Sequence, residues 1–206
     1  MKRKPILITN IEKKRSLPRQ TIGILGSHPG AGVTHIGMLL SFYLGERMGL
    51  KTAFLECNNH NHMDLIETAY HWRKIDELSF SFHNITCYKN VNKQRILEIS
   101  SGDYESIIMD FGTDWRGNQE EFLRSGTKIV VGGQAPWCKE RLVDFIHSVQ
   151  DLWGNDRWNF LVPYAHPQLI RSLRKEVSKK VYSVPFEQDP TYVSKETSLL
   201  FNKILF

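Results

Sequence analysis

Apolar positions along this chain fall into two alternating patterns. Short unbroken runs recur at Thr21–Leu25, Thr52–Cys57, Ser106–Asp110, Thr127–Val131, Trp158–Val162 and Val181–Val184, with a weaker one at Asn84–Tyr88. Runs of this length and density read as strands buried on both faces. Between them lie stretches whose apolar residues follow helical spacing. Val33–Leu50 carries Ile36, Leu39, Leu40 and Tyr43 on one face and stops near Gly49. Leu65–Ile75, Arg95–Ile99, Glu120–Arg124, Lys139–Leu152, Gln168–Lys179 and Lys195–Phe206 read as further helices. Strands alternating with helices predict an α/β domain: a doubly wound, mostly parallel sheet with helices on both faces. Pro5–Ile11 reads as a short edge strand, and Pro18 marks a connector. The organisation expected is a basic N-terminal segment, 1–19, and one domain, 20–206.

Charge refines this picture. Seven of the 27 Lys and Arg lie in residues 1–19, against one of the 22 Asp and Glu, which leaves 20 basic and 21 acidic residues for the domain. The net charge of +5 therefore belongs to the N-terminal segment and not to a nucleic-acid-binding face. Contact of that segment with DNA or anionic lipid is open to it, but a solvated arm is favoured. Three widely spaced cysteines (Cys57, Cys87, Cys138) do not make a disulfide framework. No apolar run approaches the ~20 residues of a membrane span, and the N-terminus lacks a secretory pattern. A cytoplasmic protein, at most peripheral to a membrane, is the expectation.

Candidate chemistry concentrates after the first central strand. Ser27, His28, Pro29, Gly30, Ala31, Gly32, Val33 and Thr34 join that strand to a helix through a glycine turn. Such a turn aims backbone N–H groups and the positive end of the helix dipole at phosphate oxygens. The usual loop ends in Gly-Lys-Ser/Thr, the lysine reaching the outer phosphates and the hydroxyl holding magnesium. Here Val33 takes the lysine's place and Thr34 keeps the hydroxyl. The plainer alternative is a relic turn that merely connects strand to helix. Asp110, closing a buried strand beside the loop, is a site candidate together with Gly112; its plainer reading is a carboxylate capping nearby backbone N–H groups.

The run SHPGAGVT, the strand ending TAFLECN, the segment SIIMDFG and the late VYSVPFEQDP together resemble the MinD/ParA-like P-loop ATPases. That group includes bacterial partition ATPases, division-site regulators, tyrosine kinases and pilus-assembly localisation factors. The resemblance covers the chain from Gln20 onward and implies a P-loop NTPase fold. It also implies ATP or ADP as cofactor, with Mg²⁺ engaged through Thr34 and Asp110, and a protein partner or homodimer as the working assembly.

The departures from the family pattern bear on activity. His28 and Val33 stand where the family has two lysines, Glu56 and Asn58 replace its Asp-x-Asp, and Pro163 replaces an adenine-reading Asn. Phosphoryl transfer is catalysed by positioning and charge stabilisation. One lost preorganised donor costs ~3–4 kcal/mol of transition-state stabilisation. The expectation is a non-hydrolysing adaptor or localisation factor, a pseudo-ATPase that retains phosphate or nucleotide binding, assisted by His28 when protonated. The alternatives are a weak ATPase completed by a partner and a DNA- or membrane-surface-binding module.

Four other features carry competing readings. Cys57, His60 and His62, with His71 nearby, invite a metal site but match no established zinc spacing. Arg171, Arg174 and Lys175, joined by Lys179, form a basic helical stripe whose default is a solvated face. The apolar C-terminal stretch resembles a membrane-targeting helix but has only Lys203 between its apolar clusters, so docking on the domain is favoured. Trp115 and Trp137 are either interface anchors or caps over the core.

Overall fold

The computed structural model describes residues 18–206; the Pro5–Ile11 strand expected from the sequence lies outside them. The apolar runs become β1 (Gln20–Gly26), β2 (Thr52–Glu56), β6 (Ser106–Asp110), β7 (Thr127–Val131), β8 (Asn159–Pro163) and β9 (Lys180–Val184). With β3 (Arg73–Asp76), β4 (Ser79–Phe82) and β5 (Ile85–Tyr88) they form one sheet in the order β3-β4-β5-β2-β6-β1-β7-β8-β9. From β5 to β9 every pairing is parallel; β3 and β4 are antiparallel. Every residue of β2 and β6 is buried, as unbroken apolar runs require when helices cover both faces.

The pleat divides the core in two. Ile22, Ile24, Phe54 and Ile108 point into one layer, and Leu25, Ala53, Leu55, Ile107 and Met109 into the other. The first layer is covered by α1 (Val33–Phe42), α2 (His62–Tyr70) and α7 (Lys195–Leu205). The second is covered by α3 (Lys93–Ser101), α4 (Trp115–Arg124), α5 (Pro136–Ser148) and α6 (Pro167–Val177). Helix α7 docks through fully buried Phe201, whose ring meets Tyr43 at 5.7 Å.

Two expectations about elements need correction. The first helix does not run unbroken to Leu50: from Tyr43 to Arg47 it widens into a π-type turn closed by Met48 N–H on the Tyr43 carbonyl (3.0 Å). Gly45 lies in that turn against Ile85, where a side chain would collide. The helix expected over Leu65–Ile75 ends at Tyr70, because His71 turns left-handed (φ 52°). The chain then forms the β3–β4 hairpin. Its period-two apolar positions, Phe80 and Phe82, stack with Trp72 (5.7 and 5.3 Å), and Trp72 meets Phe42 at 5.7 Å. That aromatic packing outweighs the local helical periodicity. β3 itself, Arg-Lys-Ile-Asp, is exposed along its length at the sheet edge.

Candidate functional site

The loop between β1 and α1 sits at the carboxyl ends of the parallel strands, where open α/β sheets place their ligands. It is clamped from both sides. Gly26 N–H donates to the Gly112 carbonyl (2.8 Å) and Ser27 N–H to the Val131 carbonyl (2.9 Å). Gly30 (φ 78°) and Gly32 (φ 94°) take the left-handed turns that fold the loop over the helix start. No side chain among the described residues caps α1, so its first N–H groups face a cavity of about 460 Å³. The loop lines this cavity with His35, His60, His62, Gly112 and Thr113. Val33 is buried in the core and packs toward Gly26, so the position of the usual lysine is apolar.

Behind the loop three side chains, those of Asp110, Thr34 and His62, are hydrogen-bonded in series. The Thr34 hydroxyl donates to Asp110 Oδ2 (2.6 Å), and Asp110 Oδ1 accepts the Gly112 N–H (2.9 Å). Thr34 has one proton and has given it to Asp110, so the 2.9 Å contact with His62 Nδ1 is donated by the imidazole. His62 opens α2, and its backbone N–H, with that of Met63, is held by Glu56 Oε1 (2.6 and 3.2 Å). Glu56 and Asp110 are register partners on adjacent strands, and both are fully buried. Burial pushes both carboxyls above the ordinary range. For Asp110, the Thr34 and Gly112 hydrogen bonds and nearby His60 and His62 offset part of the rise; for Glu56, the Met63 and His62 N–H groups do so.

This arrangement does not fit the magnesium site that the loop pattern implies. A cation would need a lone pair of the Thr34 hydroxyl and access to Asp110. The hydroxyl is shared between Asp110 and the His62 ring, and both Asp110 oxygens accept hydrogen bonds.

The other candidates distribute unevenly. His28 does not reach outward: it is buried, its Nδ1 donates to the Pro29 carbonyl (2.8 Å), and its ring packs beside Gly133 and Cys138. Asn58 ties the turn after β2, donating to the Asp110 carbonyl (3.0 Å) and accepting from His60 N–H (3.0 Å). Cys57, His60, His62 and His71 form no metal-binding group; the described residues hold no cluster of three such ligands. Cys57 is buried, with its thiol pushed up by burial, and exposed His71 ends α2. The basic stripe splits. Arg174 donates to the Val181 carbonyl (2.7 Å) and Lys179 bonds Asn155, while Arg171 and Lys175 face solvent. Trp115 packs edge-on against Phe122, Phe145 and Trp158 as a cap over the core, whereas Trp137 is 68% exposed.

Four residues in or near the site are not legible as such in the sequence. His62 was legible only as part of a metal pattern, because nothing local announces that it meets a threonine 28 positions earlier. His35, at the cavity wall, has its imidazole pushed below the ordinary value by burial, partly opposed by its bond to the Glu187 backbone. Tyr164 and Phe186 follow β8 and β9 and form an exposed edge-to-face pair (4.9 Å). Pro163, adjoining them, is the nearest side chain to Gly32.

No family model matches the chain, and no curated protein matches it. Solved structures do. A ParA family ATPase from Chlorobium tepidum superposes with a TM-score of 0.63 at 13% identity, covering 91% of this chain and 94% of that one. The MinC:MinD cell division protein complex of Aquifex aeolicus gives a TM-score of 0.63 at 13% identity over 82% of each chain. A plasmid partition protein from Borrelia burgdorferi, bound to AMPPNP, gives 0.60 at 13% identity, covering 91% and 97%. The fold is the one shared by MinD and ParA P-loop ATPases.

Proposed function

We propose that this protein binds a phosphate-bearing ligand, a nucleotide above all, in the glycine cradle and acts by association with a protein partner, not by hydrolysis. The observation that carries this reading is an open cradle without its catalytic groups: Gly30 and Gly32 hold the loop's shape while Val33 is buried where a lysine would act. Asn58, in the place of the water-positioning carboxylate, is spent on the turn it stabilises. Transfer chemistry needs both charge and a positioned nucleophile, whereas binding needs the N–H cradle alone. The partition protein of like fold binds AMPPNP, and the MinD of like fold is found with MinC; both support the ligand and partner proposed here.

With His28 buried beneath the loop, nucleotide lacks a side chain through which to bridge two protomers. Association therefore rests on apolar surface such as Trp137 and is independent of ligand. Sedimentation and phosphate release, each followed with and without ATP and magnesium, test the reading together. The expected result is an unchanged assembly state and no turnover above a blank. Turnover abolished by Asp110→Ala, or a monomer that dimerises only with ATP, overturns it.

A further inference from the structure

The geometry points to a phosphate site that works without magnesium, in which the His62 imidazole stands where the metal would be. The inference rests on the cradle reading above and deepens it. Three observations carry it.

First, the Thr34 hydroxyl is the group that would present a lone pair to the metal, and the His62 ring occupies it at 2.9 Å. Second, His62 is held there by the fold. Buried Glu56 takes the N–H groups of His62 and Met63, which fixes the first turn of α2 and with it the ring. The carboxylate that ends β2 thus serves as a helix cap through Oε1. Third, the cavity in front of the loop has no Lys or Arg among its lining residues; the polar side chains that line it are imidazoles and the hydroxyls of Thr34 and Thr113. His60 lies 5.3 Å from His62, ring to ring, and its Cε1 crowds the place where Gly112 would carry a side chain (3.0 Å). Gly112 lets that ring sit over the site. A further ring nitrogen, Nε2 of His35, is buried without a hydrogen-bond partner among the described residues, and His35 lines this cavity. Unpaired buried donors or acceptors of this kind are costly unless a ligand or water meets them.

The ligand that fits is a phosphate group met by the backbone N–H groups of the loop and by neighbouring imidazole rings. Free pyrophosphate and the diphosphate of ADP share this chemistry.

Calorimetric titration of the full chain with ADP and with pyrophosphate, each in EDTA and in excess magnesium, separates the sources and tests the idea. The expected ADP affinity agrees within about twofold between EDTA and magnesium, and pyrophosphate competes with ADP. His62→Ala is expected to lose about tenfold in EDTA and to recover part of that loss with magnesium, because the Thr34 lone pair is then open to the ion. His62→Asn, which keeps a polar residue at the start of α2, serves in its place if the alanine variant fails to fold. Wild-type binding that requires magnesium overturns the inference but leaves the cradle reading standing. So does a His62→Ala protein that binds ADP in EDTA as tightly as the wild type. Absence of binding in either buffer overturns both.

Discussion

The loops that follow β1 and β2 lie side by side over the same cavity and are built on opposite principles. The first, from Ser27 to Thr34, is shaped by backbone: two left-handed glycines, N–H groups aimed outward, and an apolar Val33. The second, from Cys57 to Asn61, is shaped by side chains: Asn58 ties the turn, and the loop ends at His62, which Glu56 holds at the head of α2. The contrast shows how one site can keep its form in one loop while its side-chain chemistry comes from another. Backbone geometry survives the loss of a lysine.

The comparison is broken most severely by Gly32→Val. A β-branched residue cannot adopt φ 94° without strain. We expect about 2 kcal/mol or more of lost stability and no detectable ADP binding, read by chemical denaturation and calorimetry. Thr34→Val severs the joint between the two loops: buried Asp110 Oδ2 loses its partner, while exposed His62 Nδ1 can turn to water. A cost of roughly 1–3 kcal/mol follows from the unsatisfied buried carboxylate oxygen. An unchanged denaturation midpoint would show that the joint does not matter to the fold.

Glu56→Ala acts on the second loop alone. Removing the carboxylate that caps α2 should cost about 1 kcal/mol and free the His62 ring, so that ADP affinity in EDTA falls although the cradle is untouched. The smallest effect belongs to Glu56→Gln, which keeps the Oε1 acceptor and removes the buried charge. Burial raises the folded carboxyl above its ordinary value near 4.5, so the stability it contributes is full below that value and is lost as pH rises through the folded one. The variant should therefore melt slightly above the wild type at about pH 7, and the gap should close toward about pH 4. A gap that widens on acidification would reverse the sign of this argument.

The difference between the two loops also explains what the sequence disclosed. The alternation of apolar runs and amphipathic stretches carried the parallel sheet, because strands such as β2 and β6 are buried on both faces and must be apolar throughout. The glycine cradle was legible because its cause is local: Gly30 and Gly32 announce left-handed turns by their own chemistry. His62 was opaque because its role depends on a helix cap and a threonine far away in the chain. His28 misled for the same reason, since its burial comes from packing against Gly133 and Cys138 on another strand's exit. The helical reading of Leu65–Ile75 overran into β3, and β4 went unread, because Trp72, Phe80 and Phe82 are ordered by one another and by Phe42, not by their neighbours in sequence.

The outermost strand of that hairpin has a bearing on life at high concentration. Among the described residues the nine-stranded sheet ends at β3, and a bare edge is an invitation to recruit another copy through unpaired backbone groups. Here the edge is four residues long, carries Arg73, Lys74 and Asp76, and breaks register between Lys74 and Asp76. Short, charged and kinked, it makes a poor template for fibril growth. Replacing those charges with valine would turn a sticky-proof margin into a seed for aggregation.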